Sequence, residues 1–221
     1  MAETRTDGRV ARGDRTRRAI LERAMDLASV DGLERLSIGR LATDLDVSKS
    51  GVITHFGSKE ELQLATVRAA VDVFTEHVVR PALKAPAGLR RLWRLCELWL
   101  DYERGIFPGG CFFANVAAEF DARPGRVRDA IAHSQRDFRA LFERLIAGAV
   151  EVGELSADVD AAQLTFELKA LGSSANNEFL LYDEPAAYQR ARTAMLDRLR
   201  ALAADPALLP RSVADSGPAT V

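Results

Sequence analysis

SIGRLATDLDVSKSGVITHFGSKEEL, residues 37–62, decides the reading of this chain. Ser37 is a helix N-cap residue ahead of a short apolar face, Ile38, Leu41, Ala42 and Leu45. Asp46-Val47 makes a tight turn, and Ser48 caps a second short helix, roughly 49–55. Gly57 breaks that helix, and Ser58 matched by Glu61 forms a capping box. A long striped helix then runs from Leu62 to about Val79, where Pro81 is predicted to stop it. Two short helices joined by a tight turn fit a helix-turn-helix. Ile38, Leu41, Ala42, Val47 and Val52 lock the pair at a fixed angle, and Ile53 is expected to pack with them. The second helix then turns outward a polar, small face: Lys49, Ser50, Gly51, Thr54 and His55. Small residues let a helix backbone enter a major groove about 12 Å wide, and hydroxyl or basic groups reach bases and phosphates. From pattern alone, an ordinary helical hairpin with a solvated face is the alternative.

Charge supports the nucleic-acid reading locally. Lys49, Lys59, Lys84 and Lys169 are the only lysines among 30 basic residues, set against 32 acids for a net charge of −2. That balance gives no global pull toward nucleic acid or an anionic membrane. The first 24 residues are different, with Arg5, Arg9, Arg12, Arg15, Arg17, Arg18 and Arg23 against only Glu3, Asp7, Asp14 and Glu22. An arginine-rich start beside a reading helix is suited to phosphates or a minor groove, Arg15 and Arg17 above all. A solvated charged tail is the bland alternative.

Beyond the opening stretch nearly every segment carries helical period. Leu89, Leu92, Trp93, Cys96, Trp99 and Leu100 form one stripe, and Phe112, Phe113, Val116, Ala117 and Phe120 another. Val127, Ile131, Phe138, Leu141, Phe142 and Ile146 follow, then Leu164, Leu168, Leu171 and Phe179, then Ala187, Ala191, Met195 and Leu199. The fold class is therefore all-α, about nine helices. Three function classes are disfavoured. Cys96 and Cys111 are too few for a disulfide or cysteine-rich zinc framework, and two buried thiols are the simpler reading than a redox pair. No apolar run approaches the roughly 18–20 residues of a membrane span, and no secretory leader is visible, so a soluble cytoplasmic protein is expected. No phosphate loop, dinucleotide fingerprint, zinc-protease motif or nucleophile elbow occurs, so neither an enzyme nor a cofactor or metal protein is expected. Asp158 and Asp160 read as a helix start.

The stretch from Thr16 through Leu62 resembles the DNA-binding domain of TetR-type transcriptional regulators. Ile20-Leu21-Glu22-Arg23-Ala24, Asp31-Gly32-Leu33, Leu41-Ala42, Val47-Ser48-Lys49 and His55-Phe56-Gly57-Ser58-Lys59-Glu60-Glu61-Leu62 carry the resemblance in order. Two positions depart from it. Ile53 stands where the family often has an aromatic, and Asp46 where its turn usually has glycine.

The resemblance implies a homodimer whose two heads bind a palindromic operator, with Lys49, Ser50, Gly51, Thr54, His55 and Lys59 at the DNA and Ser37 as a further phosphate contact. Residues 1–13, almost without apolar side chains, are expected to be a flexible arm, and 205–221, with Pro206, Pro210 and Pro218, a flexible tail; between them the resemblance implies a helix-turn-helix domain over 14–60 and a sensing and dimerising helical domain over 61–204. Trp93, Cys96, Trp99, Tyr102, Phe112, Phe113, Asn115, Val116, Phe138 and Phe142 are the expected lining of a cavity for a small, largely apolar effector, with a plain core as the competing reading. Glu119 and His133 are further polar candidates there. Leu164, Leu168, Leu171, Ser174, Phe179, Ala187, Ala191 and Met195 are the expected dimer seam. The implied function is a repressor released from its operator by the effector. The competing class is a helical small-molecule-binding or interaction module without operator binding.

Overall fold

Why the chain is helical follows from its caps as much as from its stripes. In a computed structural model that describes residues 3–216, α1 (Glu3–Asp31), α2 (Ile38–Asp44), α3 (Lys49–Phe56) and α4 (Lys59–Phe74) come first. A π turn (Thr75–Val79) leads without a break into α5 (Arg80–Leu83). Then come α6 (Leu89–Gly105), α7 (Phe112–Phe120), α8 (Arg126–Glu151), α9 (Ala161–Tyr182) and α10 (Ala187–Leu202). With α4 and α5 counted as one continuous rod, nine helices stand among the described residues. No strand occurs among them; Leu155 and Ala203 make a lone antiparallel bridge.

The chain packs as two compact units. One holds residues up to Val71 together with Phe112–Ala132; the other holds Asp72–Cys111 and His133 onward. This packing differs from the expected division near residue 60: most of α4 stays with α1–α3, and α7 joins them from far along the sequence. The core of the first unit is Ile20, Ala24, Leu27 and Ala28 of α1, then Leu33, Leu36, Leu41, Val52 and Leu62, with Phe112, Val116 and Phe120 of α7. Burying each large side chain fully contributes about 2 kcal/mol. Three buried polar groups here are all matched. The Ser29 hydroxyl donates to the Asp26 carbonyl, Gln63 Nε2 to the Leu33 carbonyl at 3.0 Å, and Thr66 Oγ1 to the Leu62 carbonyl.

The second unit centres on α6, whose Leu92, Trp93, Leu95, Cys96, Trp99, Leu100 and Tyr102 are all buried. The N-terminal amide of α6 at Leu89 donates to the Glu154 carboxylate at 2.6 Å. Asp160 caps α9, its Oδ1 accepting from the amides of Ala162 and Gln163, as its sequence context predicts. Gly172 of α9 lies against the Trp99 ring, where any Cβ would collide with it. Gly172 therefore admits an indole of the same chain.

Three expectations on helix ends are corrected. The expected arm over 1–13 is helical from Glu3, and Met1 and Ala2 lie outside the described residues. No proline interrupts that segment, so α1 continues N-terminally through it. Pro81 does not end its helix. The preceding turn widens so that the Arg80 amide bonds back to the Thr75 carbonyl, which relieves the clash a proline ring makes in a regular helix. The start of the expected tail is packed: Leu209 is buried and Arg200 Nη1 donates to the Pro210 carbonyl at 2.6 Å. The last five residues of that tail lie outside the described ones.

Candidate nucleic-acid interface

Local chemistry sets the α2–α3 pair. Ser37 Oγ accepts from the Arg40 amide at 3.2 Å and Ser48 Oγ from the Gly51 amide at 3.0 Å, satisfying an orphan donor at each helix start. Between them Asp46 sits at φ +52, the left-handed conformation the turn requires, and the Val47 amide reaches back to the Ala42 carbonyl. Leu41, Ala42, Val52 and Phe56 are buried, so α3 has its inner edge fixed. Arg17 lies over the Phe56 ring, its guanidinium carbon 4.7 Å from the centroid, which ties α1 to the end of α3.

What α3 leaves free matches the sequence reading with one correction. Lys49, Ser50 and Thr54 are exposed, and Gly51 and His55 are half-exposed. Thr54 Oγ1 donates to the Ser50 carbonyl at 2.8 Å, which fixes its rotamer. Ile53 is not packed: 46% of it is open to solvent. An eight-residue helix has room for only one buried edge, and Val52 with Phe56 takes it. Arg15 is exposed on α1. Lys59 is engaged within the unit, its Nζ 2.6 Å from the Glu34 carbonyl and 3.0 Å from the Glu34 carboxylate. That hydrogen bond holds the Glu34 carboxyl below its usual range.

The turn between α1 and α2 depends on residues the sequence did not mark as neighbours. The Glu119 carboxylate accepts from the amides of Leu33 at 2.7 Å and Glu34 at 3.0 Å. It crosses so close to Gly32, at φ +87, that a Cβ there would meet it at 2.8 Å. Asn115 Nδ2 donates to the Ser29 carbonyl at 2.6 Å. Arg126 Nη1 reaches both Glu60 and Glu61 in the first turn of α4, at 2.9 and 2.7 Å. Glu119 and Asn115, expected to face an effector, are fasteners of the reader turn. Spacings of 85 and 86 residues between partners left no local signal for this.

The expected effector lining divides between the units. Phe112, Phe113, Asn115 and Val116 belong to the first unit, whereas Trp93, Cys96, Trp99, Tyr102, Phe138 and Phe142 belong to the second. Within the second, Trp99, Phe138 and Phe142 meet edge-on at centroid distances of 5.0–5.8 Å, and Phe74 joins Phe138 and Tyr102. His133 is an exposed residue beside Asp137. Most of the residues expected at the dimer seam pack within the chain. Leu164, Leu168, Ala187, Ala191 and Met195 are buried where α9 packs on α10 of the same chain, and Leu171 and Phe179 are half-buried, Phe179 against Tyr188. Of the residues named, Ser174 is exposed. The apolar side chains that α9 leaves open are Phe166, Leu180, Leu181 and Tyr182.

Comparisons with known proteins agree with this architecture. The family model of bacterial regulatory proteins of the tetR family matches residues 20–66, and that of the tetracyclin repressor-like C-terminal domain matches residues 88–195. No curated protein matches the chain. A TetR transcriptional regulator from Chloroflexus aurantiacus is similar at a TM-score of 0.81 and 21% identity, over 87% of this chain and 98% of that one. A transcriptional regulator from Saccharomonospora viridis, solved with choline, is similar at 0.71 and 24%, over 87% and 100%. AibR, solved with isovaleryl coenzyme A and operator DNA, is similar at 0.65 and 20%, over 85% and 97%. These structures share the fold, and the two family models together span most of the chain: it belongs to the TetR family of bacterial transcriptional regulators.

Proposed function

We propose that this chain is a homodimeric repressor that reads a palindromic operator through α3 and leaves it when a small, largely apolar molecule binds the helical second unit. One observation carries the DNA half: α3 is held by Val52 and Phe56 while Lys49, Ser50, Ile53 and Thr54 are exposed along its other side. Such a face puts hydroxyls and one ammonium within reach of base edges and phosphates. Ile53 adds an apolar contact suited to a thymine methyl group, in place of the polar contact an aromatic hydroxyl would make. Lys59 reaches a phosphate by exchanging Glu34 for it, assisted by the amides at the start of α4.

Pairing of two heads follows from groove spacing, since half-sites one helical turn apart are about 34 Å from each other. Phe166, Ala170 and Leu181 recur at helical spacing on the exposed side of α9 and supply an apolar surface for a second copy. Release by an effector requires that it bind the state unable to fit the operator more tightly than the state that fits. Gel retardation with the DNA upstream of the protein's own gene tests the reading. Retention of that DNA, lost in Lys49→Ala and Thr54→Ala, supports it. A folded protein that retards no upstream fragment overturns it in favour of a binding module.

A further inference from the structure

Glu103 is the strangest residue in the second unit. It is a carboxyl group at 1% exposure on the last turns of α6, and no Lys, Arg or His is ion-paired with it among the described residues. Its contacts are the Trp99 side chain and the Cys111 thiol, both hydrogen-bond donors without a charge. Its Oε2 has no hydrogen-bond partner, and neither does the hydroxyl of the adjacent Tyr102, itself at 2% exposure. Burial accordingly pushes the Glu103 carboxyl up to about 7. Nearby polar groups are already committed: Asn176 Oδ1 accepts from the Cys111 amide at 2.9 Å and from the Tyr188 hydroxyl at 3.2 Å. Trp99, which touches Glu103, and Tyr102 belong to one aromatic cluster with Phe74 and Phe138.

Above about pH 7, where Glu103 is ionised, a neutral or anionic ligand leaves the buried carboxylate uncompensated, which costs more than any single hydrogen bond returns. A cation compensates it, and aromatic faces attract a cation further. Phe138 already has one such contact, with Lys169 Nζ 5.8 Å from its centroid. We infer that the effector carries a protonated or quaternary nitrogen on an apolar body, and that Glu103 is the group that binds this nitrogen. The inference rests on reading the second unit as the effector-sensing one, and it narrows that effector from apolar to cationic.

The test uses the full chain at pH 8 with 4-phenylbutylamine and benzyltrimethylammonium as cationic probes and 4-phenyl-1-butanol as a neutral counterpart. Calorimetric titration is made on the native chain and on Glu103→Gln, whose unliganded melting temperature reports that it folds. The expected result is binding of at least one cation to the native chain, weakened about tenfold or more in Glu103→Gln, with the alcohol weaker than the amine on the native chain. Failure of both cations to bind at millimolar concentration overturns the inference. So does equal binding of the cations to Glu103→Gln, or alcohol binding as tight as the amine. Operator retardation by the same preparations is read separately. Retardation without cation binding removes this inference alone, and cation binding without retardation removes the regulator reading alone.

Discussion

The two units treat buried polarity in opposite ways. In the first, Gln63, Thr66 and Ser29 are buried and each is hydrogen-bonded, and even the amides of the α1–α2 turn find the Glu119 carboxylate. In the second, Trp93 Nε1, Tyr102 Oη, Glu103 Oε2 and Thr165 Oγ1 are all buried without a partner among the described residues. Unmatched buried groups each cost about 1–3 kcal/mol, so a sequence keeps them where something is gained. The first unit is finished inside and keeps Lys49, Ile53 and Thr54 exposed on the outside. The second is unfinished inside. A reader needs a rigid scaffold under an open face, whereas a sensor needs an interior whose best state includes another molecule.

Four measurements break or sharpen this contrast. The largest effect belongs to Glu103. Its carboxyl rises from 4.5 to about 7 on folding, so the native chain holds a proton that the unfolded chain releases between those values. Stability present below pH 4.5 should therefore fall as pH rises to 7, by about 3 kcal/mol at most, and Glu103→Gln should remove that fall. Urea titrations of both chains at several pH values check it; parallel pH profiles would show that the buried carboxyl is not the cause. Next comes Glu119→Ala, which strips the acceptor from the Leu33 and Glu34 amides and should cost about 2 kcal/mol in urea unfolding. A smaller loss would mean that water satisfies the turn and that the first unit is less complete than its hydrogen bonds indicate.

Ile53→Ala should leave stability unchanged while weakening operator binding by about 1 kcal/mol. Replacing thymines of the half-site by uracil should weaken the native protein by a similar factor at one position, and leave Ile53→Ala insensitive there. Uracil scanning that affects both proteins alike would remove Ile53 from the interface. The smallest effect belongs to Glu34→Gln, which cuts an exposed pair with Lys59 worth under about 1 kcal/mol. It should raise operator affinity slightly by freeing Lys59 for phosphate, most visibly at low salt.

Much of the reader was legible because its decisive signals are local. Ser37, Asp46, Ser48 and Gly57 each act within four residues, through a cap or a positive φ, and all four behave as their chemistry demands. Ile53 was misplaced because period alone does not say which flank of an eight-residue helix meets the core. Glu119, Asn115 and Arg126 were illegible as parts of the reader, since their partners lie far back in the chain. Leu164, Leu168 and Met195 show a further limit. An apolar stripe looks identical whether its partner helix belongs to the same chain or to a second copy. The orphaned Glu103 and Tyr102 have no sequence signature, because an unmatched group is recognised only from what surrounds it.

The measurement closest to the central claim is retardation of the gene's own upstream DNA by the full chain, compared with Lys49→Ala and Thr54→Ala in the same gel. The account predicts a discrete, salt-sensitive complex formed by the native chain and lost or weakened at least tenfold in both variants. Binding that survives in both variants, or no complex with any upstream fragment from a folded protein, would contradict it.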